Sequence, residues 1–205
     1  MFARLLDLVF PPRADEFLIR GLLPETLSPL VEPRTIPDTT PETVGLLPFH
    51  DPHVRALIHE AKYHGNERAF SLLSDVLADY LLEAAAEEGF ANVVVVPVPL
   101  SASRRAKRGF NQTEEVGRRA CAAADVPFAA DALLRVRDTE SQVALPREKR
   151  LTNMRGAFAC AYPPDPAHTY IVLDDVVTTG ATLQAALDAL VAAGASRVIP
   201  LALAR

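Results

Sequence analysis

The sequence predicts an α/β fold in which a parallel sheet is flanked by helices. Strand-like runs of β-branched residues alternate with helical segments from about residue 90 onward, as expected for parallel strands joined by helices. The clearest strand ends at Leu173 and leads through two acids and a glycine turn into an alanine- and leucine-rich helix. Apolar residues make up 49% of the 205 residues, enough for one domain with a substantial core.

The first fifty residues differ from the rest in their proline content. Nine of the seventeen prolines fall within the first 52 residues, and proline interrupts both helices and central strands. We therefore expect residues 1–50 to form a small irregular hood. Residues 2–10 could form one or two helical turns, but no regular helix or central strand is expected from Pro11 to about residue 48. Residues 51–205 are expected to form the main domain.

The following segments have clearer periodicity. Residues 53–64 have helical spacing and end at Gly65, a residue that suits a helix C-terminus. Residues 67–88 place apolar side chains at helical intervals, which predicts a long helix packed by one face. Strands are predicted at residues 92–98, 133–137 and 197–203.

Composition excludes several classes of protein. The net charge of −5 does not favour non-specific binding to nucleic acid, so any such contact must be local. Two distant cysteines, Cys121 and Cys160, form neither a disulfide framework nor a zinc site. No run approaches the ~20 apolar residues of a membrane span, and the N-terminus has no signal-peptide cleavage site. We expect a cytoplasmic protein that does not insert into a membrane.

Four of the five histidines lie close together in or near residues 53–64. They are His50, His53, His59 and His64. Their spacing is not that of a metalloprotease helix, so we interpret them as solvated or capping side chains rather than as metal ligands.

The segment after the clearest strand carries the most specific chemistry. Asp174 and Asp175 stand at the carboxyl end of this strand, where ligands bind in open α/β sheets. The turn that follows contains Thr178, Thr179, Gly180, Ala181 and Thr182. Hydroxyl groups, a glycine and a helix N-terminus suit a phosphate, and two carboxylates suit sugar hydroxyls or Mg²⁺. The chain lacks the glycine-rich loops of nucleotide triphosphatases and of dinucleotide-binding proteins, which leaves a phosphorylated sugar as the favoured ligand.

Two further polar segments suit a charged ligand. The basic residues Arg104, Arg105, Lys107 and Arg108 follow a predicted strand in an otherwise acidic chain. They suit a pyrophosphate or second phosphate, the alternative being a solvated basic loop. Residues 138–156 are too polar for a core and suit a mobile flap, the alternative being a simple surface loop.

Residues 172–182 resemble the phosphoribosyl-pyrophosphate (PRPP) motif of type I phosphoribosyltransferases. The resemblance implies that Asp174 and Asp175 contact the ribose hydroxyls and that Thr178 to Thr182 hold the 5′-phosphate. It also implies Mg²⁺ that is bound through the ligand near the acids, with no direct protein ligand.

Three other segments resemble the ComF family of competence-associated, phosphoribosyltransferase-like proteins. These are Lys62 to Gly65, Arg108 to Gln112, and Arg137 to Phe158. The resemblance implies that 99–112 is a pyrophosphate loop and that 138–156 is the flexible loop of the type I fold, with Gln142, Arg147 and Arg150. Many relatives carry a cysteine zinc ribbon near the N-terminus, but this chain lacks those cysteines, so we expect no zinc.

The family resemblance implies a role in DNA uptake for natural transformation, alongside a competence helicase. The first hypothesis is a PRPP- and Mg²⁺-dependent transferase with an unknown acceptor. The alternative is a catalytically silent adaptor that uses the same fold to bind single-stranded DNA or proteins of the competence machinery.

Overall fold

A computed structural model describes residues 13–86, 92–139 and 153–205. Its strands are β1 (Arg34–Ile36), β2 (Thr43–Leu47), β3 (Val93–Pro97), β4 (Leu133–Arg135), β5 (Phe158–Cys160), β6 (Thr169–Val176) and β7 (Arg197–Ala204). The central sheet has five strands in the order β1-β2-β7-β6-β3. Strands β2, β7, β6 and β3 are parallel, and only β1 runs antiparallel. Strands β4 and β5 form a separate antiparallel pair. The predicted α/β class is confirmed.

The described helices are α1 (Ala14–Arg20), α2 (Pro24–Leu27), α3 (Pro52–His64), α4 (Glu67–Ala86), α5 (Ala102–Arg108), α6 (Gln112–Ala124) and α7 (Ala181–Ala192). A short 3₁₀ turn, Ser28–Leu30, follows α2. Asp51 caps α3 by accepting hydrogen bonds from two backbone N–H groups, and Gly65 ends it in the left-handed conformation. The helix predicted at 53–64 is confirmed, and the helix predicted at 67–88 is confirmed as far as Ala86, since residues 87–88 lie outside the described residues. No helix in the described ranges is both long and apolar enough to cross a bilayer.

The sheet is covered by helices on both faces. Side chains of β6 alternate between the faces, so Ile171 and Leu173 belong to one core whereas Tyr170 and Val172 belong to the other. The first core is shared with α3, α4 and α6, and the second with α7. This arrangement leaves the carboxyl ends of the strands open to a ligand.

The prediction that no regular helix or central strand lies between Pro11 and about residue 48 is wrong. Helix α1 lies in this segment, and β2 is an interior strand paired with β1 on one side and β7 on the other. Prolines 41 and 48 flank β2 without entering it, so they bound the strand rather than break it. Leu46 and Leu47 are fully buried, which explains why a run of only five residues is held in the sheet.

Candidate functional site

A cavity of about 630 Å³ opens beside the carboxyl ends of β3 and β6. The segments after these strands form one side of the cavity, and α3, α5 and the start of α6 form the others. Its charged lining residues in the described part of the chain are Arg55, Lys62, Arg104, Arg108, Arg135, Asp174 and Asp175, with His59 at the same wall. Five of these groups are lysine or arginine and two are carboxylates. The cavity therefore favours an anionic ligand.

Asp175 is a buried carboxylate whose two oxygens are both occupied. Lys62 Nζ lies 2.5 Å from Oδ2, and Gln112 Nε2 donates to the same oxygen over 2.7 Å. The other oxygen accepts the backbone N–H of Val176 at 2.7 Å. These contacts bring together β6, α3 and α6 at the cavity wall. They fix the carboxylate in one position.

Asp174 is partly buried and less constrained. Its Oδ1 accepts the N–H of Asp175 at 2.9 Å, while no group among the described residues donates to Oδ2. Burial and the negative charge of Asp175 raise the pKa of Asp174 to about 7, although Lys62 and Arg135 oppose this shift. An unpaired carboxylate oxygen that faces an open cavity can accept hydrogen bonds from ligand hydroxyl groups.

The threonine turn forms a second, small concavity next to the main cavity. Residues 174 and 176–183 line this space of about 30 Å³. Gly180 has φ +80° and precedes the first residue of α7, so the turn directs the helix N-terminus at the concavity. Thr178 and Thr182 line both spaces, which places the turn at the edge of the main cavity. Its position and shape suit a phosphate group.

Gly180 also contacts the N-terminal segment closely. A Cβ on this residue would lie 2.5 Å from the carbonyl oxygen of Thr40. The N–H of Thr40 in turn donates to the carbonyl of Thr179 at 3.1 Å. The conformation of the turn thus depends on the segment that leads into β2.

The basic stretch forms helix α5 rather than an extended loop. Ser101 caps its N-terminus, and Gly109 ends it in the left-handed conformation. Arg104 and Arg108, one helical turn apart, line the cavity. Arg105 lies outside the cavity lining and pairs with Glu114 at 2.7 Å.

Lys107 is likewise exposed and does not line the cavity. The structure therefore brings two of the four predicted pyrophosphate-binding residues to the site. The predicted flexible-loop residues Gln142, Arg147 and Arg150 lie outside the described residues.

Arg135 is a site residue that the sequence pattern does not reveal. It lines the cavity from β4, and burial lowers the pKa of its guanidinium, which is nevertheless charged at neutral pH. Its guanidinium lies 5.4 Å from the centre of the Phe158 ring. Its buried Nε has no hydrogen-bond acceptor among the described residues. An anionic ligand in the cavity would offer a negative charge to pair with this cation.

Lys62 and Gln112 are likewise predicted from the sequence only as parts of family segments and not as site residues. Both contact Asp175 from positions far away in the sequence. Their chemistry gives a weak signal in the sequence, because a lysine or glutamine on a helix is usually solvated.

Candidate metal ligands in the described residues lie together in the histidine-rich region. Single ligand atoms of His59, Glu60 and His64 lie within 4.8 Å of one another. However, Arg13 binds the Glu60 carboxylate through two hydrogen bonds of 2.9 and 2.7 Å, and Asn66 adds a third. Burial alone would raise the pKa of Glu60, yet these hydrogen bonds lower it below its usual value. The neighbouring guanidinium disfavours a cation here. We therefore interpret the cluster as side chains that hold the fold together and not as a metal site.

Comparisons with curated proteins show which family the chain is similar to. The chain is 32% identical to the DNA utilization protein YhgH of Escherichia coli K12 over 148 residues, which are 72% of this chain and 65% of that protein. The corresponding protein of Salmonella typhi is 30% identical over 150 residues, which are 73% and 66% of the two chains. Competence protein F of Haemophilus influenzae is 33% identical over 91 residues, which are 43% and 40%.

The chain belongs to the ComF family. The family resemblance predicted from the sequence is confirmed. The chain spans about 65% of the length of the Escherichia coli YhgH protein it matches. No family model matches the chain. The residues that line the cavity run from Phe49 to Thr182, so most of the described chain contributes to it.

Proposed function

We propose that this member of the ComF family binds PRPP together with Mg²⁺ in the cavity and acts in DNA utilization and competence. One observation carries the proposal: a partly free carboxylate, a phosphate-sized turn at a helix N-terminus and cavity-lining arginines meet in one space. A phosphoribosyl ligand with pyrophosphate carries the three matching groups, which are hydroxyls, a terminal phosphate and a second polyanion. The cavity volume is within the range of about 300–1,000 Å³ typical of small-molecule sites.

The turn from Thr178 to Thr182 would hold the 5′-phosphate through backbone N–H groups and hydroxyls. Asp174 would accept hydrogen bonds from the ribose hydroxyls. Arg104, Arg108 and Arg135 would face the pyrophosphate, since they line the main cavity but not the small concavity at the turn. Arg105 and Lys107 have no role in this arrangement.

Mg²⁺ fits the site only as an ion carried mainly by the ligand. It takes oxygen ligands in octahedral geometry and is usually held by one or two carboxylates together with phosphates and water. Asp175 is a poor ligand for the ion, because Lys62, Gln112 and a backbone N–H already donate to its two carboxylate oxygens. When bound to pyrophosphate, the ion would neutralise negative charge on the leaving group.

The reaction that suits this arrangement is phosphoribosyl transfer to a nitrogen nucleophile. The nucleophile's lone pair would form a bond to the anomeric carbon, and the bond from that carbon to pyrophosphate would break. Pyrophosphate leaves with the electron pair, and the nucleophile loses a proton. The cavity residues would contribute positioning and electrostatic stabilisation of the departing anion.

The cellular role is proposed from the names of the relatives. Two of them are named DNA utilization protein, and one is named Competence protein F. A transferase in this setting would modify a component of DNA uptake or DNA use. A ligand-sensing adaptor would instead bind PRPP without turnover and contact single-stranded DNA or a competence protein such as its helicase.

The first test is calorimetric titration of the protein with PRPP, with and without Mg²⁺. We expect Mg²⁺-dependent binding that Asp174→Asn weakens by about 100-fold or more, since a charge-assisted contact with the ribose is lost. Asp125→Asn is the matched control, because Asp125 is exposed and its left-handed conformation is one that asparagine adopts readily. Folded wild-type protein that does not bind PRPP would refute the proposal.

Turnover and adaptor function are separated by two further measurements. Release of pyrophosphate from PRPP in the presence of candidate nitrogen acceptors would establish the transferase. Binding of labelled single-stranded DNA, weakened by charge reversal at Arg105 and Lys107, would favour the adaptor, because both residues are exposed outside the cavity.

A further inference from the structure

The two adjacent acids of the motif are held in different ways. Asp175 is almost fully buried and its two carboxylate oxygens together accept from Lys62, Gln112 and the N–H of Val176. Asp174 accepts one short-range backbone hydrogen bond and otherwise faces the cavity. A carboxylate with both oxygens occupied is a poor partner for ligand hydroxyls, whereas one with an unpaired oxygen is a good one.

The donors to Asp175 are themselves oriented. Arg108 Nη1 donates to Gln112 Oε1 at 3.2 Å, which directs the amide NH₂ group of Gln112 at Asp175. Arg108 is in turn placed by the ring of Tyr63, whose centre lies 4.9 Å from the guanidinium carbon. These side chains form one connected network from α3 and α5 through α6 to β6.

We propose that Lys62 and Gln112 are positioning residues that fix Asp175, so that Asp174 alone presents its carboxylate to the ribose hydroxyls. The proposal rests on the function proposed above and assigns unequal roles to the two acids. In this arrangement Asp175 anchors the end of β6. Lys62 and Gln112 influence ligand binding by holding Asp175 in place, and they do not touch the phosphates of the ligand.

Lys62 also lines the cavity, so a direct contact with the pyrophosphate is the competing explanation. The other charged or titratable groups that line the cavity are Arg104 and Arg108 on α5, Arg135 on β4, and Arg55, His59 and Lys62 on α3. The arginines provide cations for the phosphates without Lys62. A test must therefore separate the contact with ribose from the contact with pyrophosphate.

The experiment compares the binding of PRPP with that of inorganic pyrophosphate, both with Mg²⁺, to wild-type protein and to Lys62→Met and Gln112→Met. Inorganic pyrophosphate has no ribose. We expect each substitution to weaken PRPP binding by about tenfold. Lys62→Met should change the affinity for pyrophosphate by less than about twofold, because a misplaced acid pair affects only the ribose contact. Gln112→Met should lower the pyrophosphate affinity as well, because it also removes the hydrogen bond that holds Arg108. Lys62→Arg should recover most of the PRPP affinity, since it keeps a cation next to Asp175.

A second arm compares the two acids. We expect Asp174→Asn to weaken PRPP binding at least about tenfold more than Asp175→Asn does, because only Asp174 touches the ligand. Equal loss in the two acid variants, or an equal loss of PRPP and pyrophosphate in Lys62→Met, would overturn the positioning role alone. Folded wild-type protein that binds pyrophosphate but not PRPP would overturn the proposed function and this inference with it.

Discussion

At the scale of single residues, the ionisation of Asp174 opposes folding. The folded protein holds this proton up to about pH 7, whereas an unfolded chain releases it near the ordinary aspartate pKa of 3.8. Between these two pH values the unfolded state binds fewer protons, so the free energy of unfolding falls as pH rises. This loss is complete above pH 7.

We therefore predict that Asp174→Asn stabilises the protein at pH 8, by about 1–3 kcal/mol, although it should weaken the proposed binding of PRPP. Asparagine carries no charge to desolvate and no charge to repel Asp175. Thermal unfolding at pH 4 and pH 8 checks the prediction, and the gain should be much smaller at pH 4. A lower melting temperature at pH 8 would show that the carboxylate has a structural role instead.

Gly180 is the second residue for which the structure makes a sharp prediction. Its φ of +80° disfavours any side chain, and an added Cβ would meet the Thr40 backbone at 2.5 Å. Gly180→Ala is expected to destabilise the protein by about 2–4 kcal/mol and to abolish PRPP binding, since the turn must move. Gly21→Ala is the control, because a Cβ on Gly21 would have no neighbour within 4 Å. Chemical denaturation of both variants measures the difference, and equal stability of the two would contradict the close contact.

At the scale of elements, helices α1 and α3 are joined by a buried carboxylate. Arg13, which precedes α1, pairs with Glu60 on α3, and the Glu60 side chain is completely buried. Arg13→Met is predicted to cost about 1–3 kcal/mol of stability, because it leaves the buried Glu60 carboxylate with the hydrogen bond from Asn66 but without the two from the half-exposed Arg13. The double variant Arg13→Met/Glu60→Gln should be more stable than Arg13→Met alone, since it removes that charge. Denaturation midpoints for the two variants in the opposite order would contradict this explanation.

At the scale of the whole molecule, the N-terminal segment is part of the sheet. Strand β2 covers one edge of β7, and the buried side chains of Leu46 and Leu47 contribute to the first core. A chain that begins at residue 51 is therefore predicted not to fold cooperatively, because β7 would gain an open edge and the core would lose two leucines. Far-UV circular dichroism during heating measures cooperativity. A sharp transition in the shortened chain would show that β2 is dispensable.

Features encoded by neighbouring residues can be predicted from the sequence. Strand β6, its acid pair and the helix after the threonine turn follow one another without interruption, so local pattern is sufficient to predict them. Helix α5 can also be predicted from the sequence, since Ser101 and Gly109 stand at its two ends and suit helix caps. In a helix over these residues, Arg104 and Arg108 lie on one face and Arg105 lies on another.

Features that depend on contacts between distant residues cannot be predicted in this way. The pairing of Lys62 and Gln112 with Asp175 exists only after α3, α6 and β6 have packed together. Arg135 reaches the cavity from a separate two-stranded sheet. Strand β2 is not predicted from the sequence, because it has only five residues and prolines lie on both sides of it. Only its pairing with β7 identifies it as an interior strand.

The pairing of β2 with β7 has a consequence for the order in which the molecule can assemble. Val44 lies opposite Leu201, so roughly three quarters of the chain separates two strands that are neighbours in the sheet. Closing such a long loop is slow, and a growing chain cannot complete this pairing until its late segments have emerged from the ribosome. Because Thr40 just before β2 also contacts the turn at Gly180, the turn from Thr178 to Thr182 gains this contact only at that late stage. A phosphoribosyl ligand would therefore recognise the finished molecule and stabilise it against reopening, without assisting the earlier steps of folding.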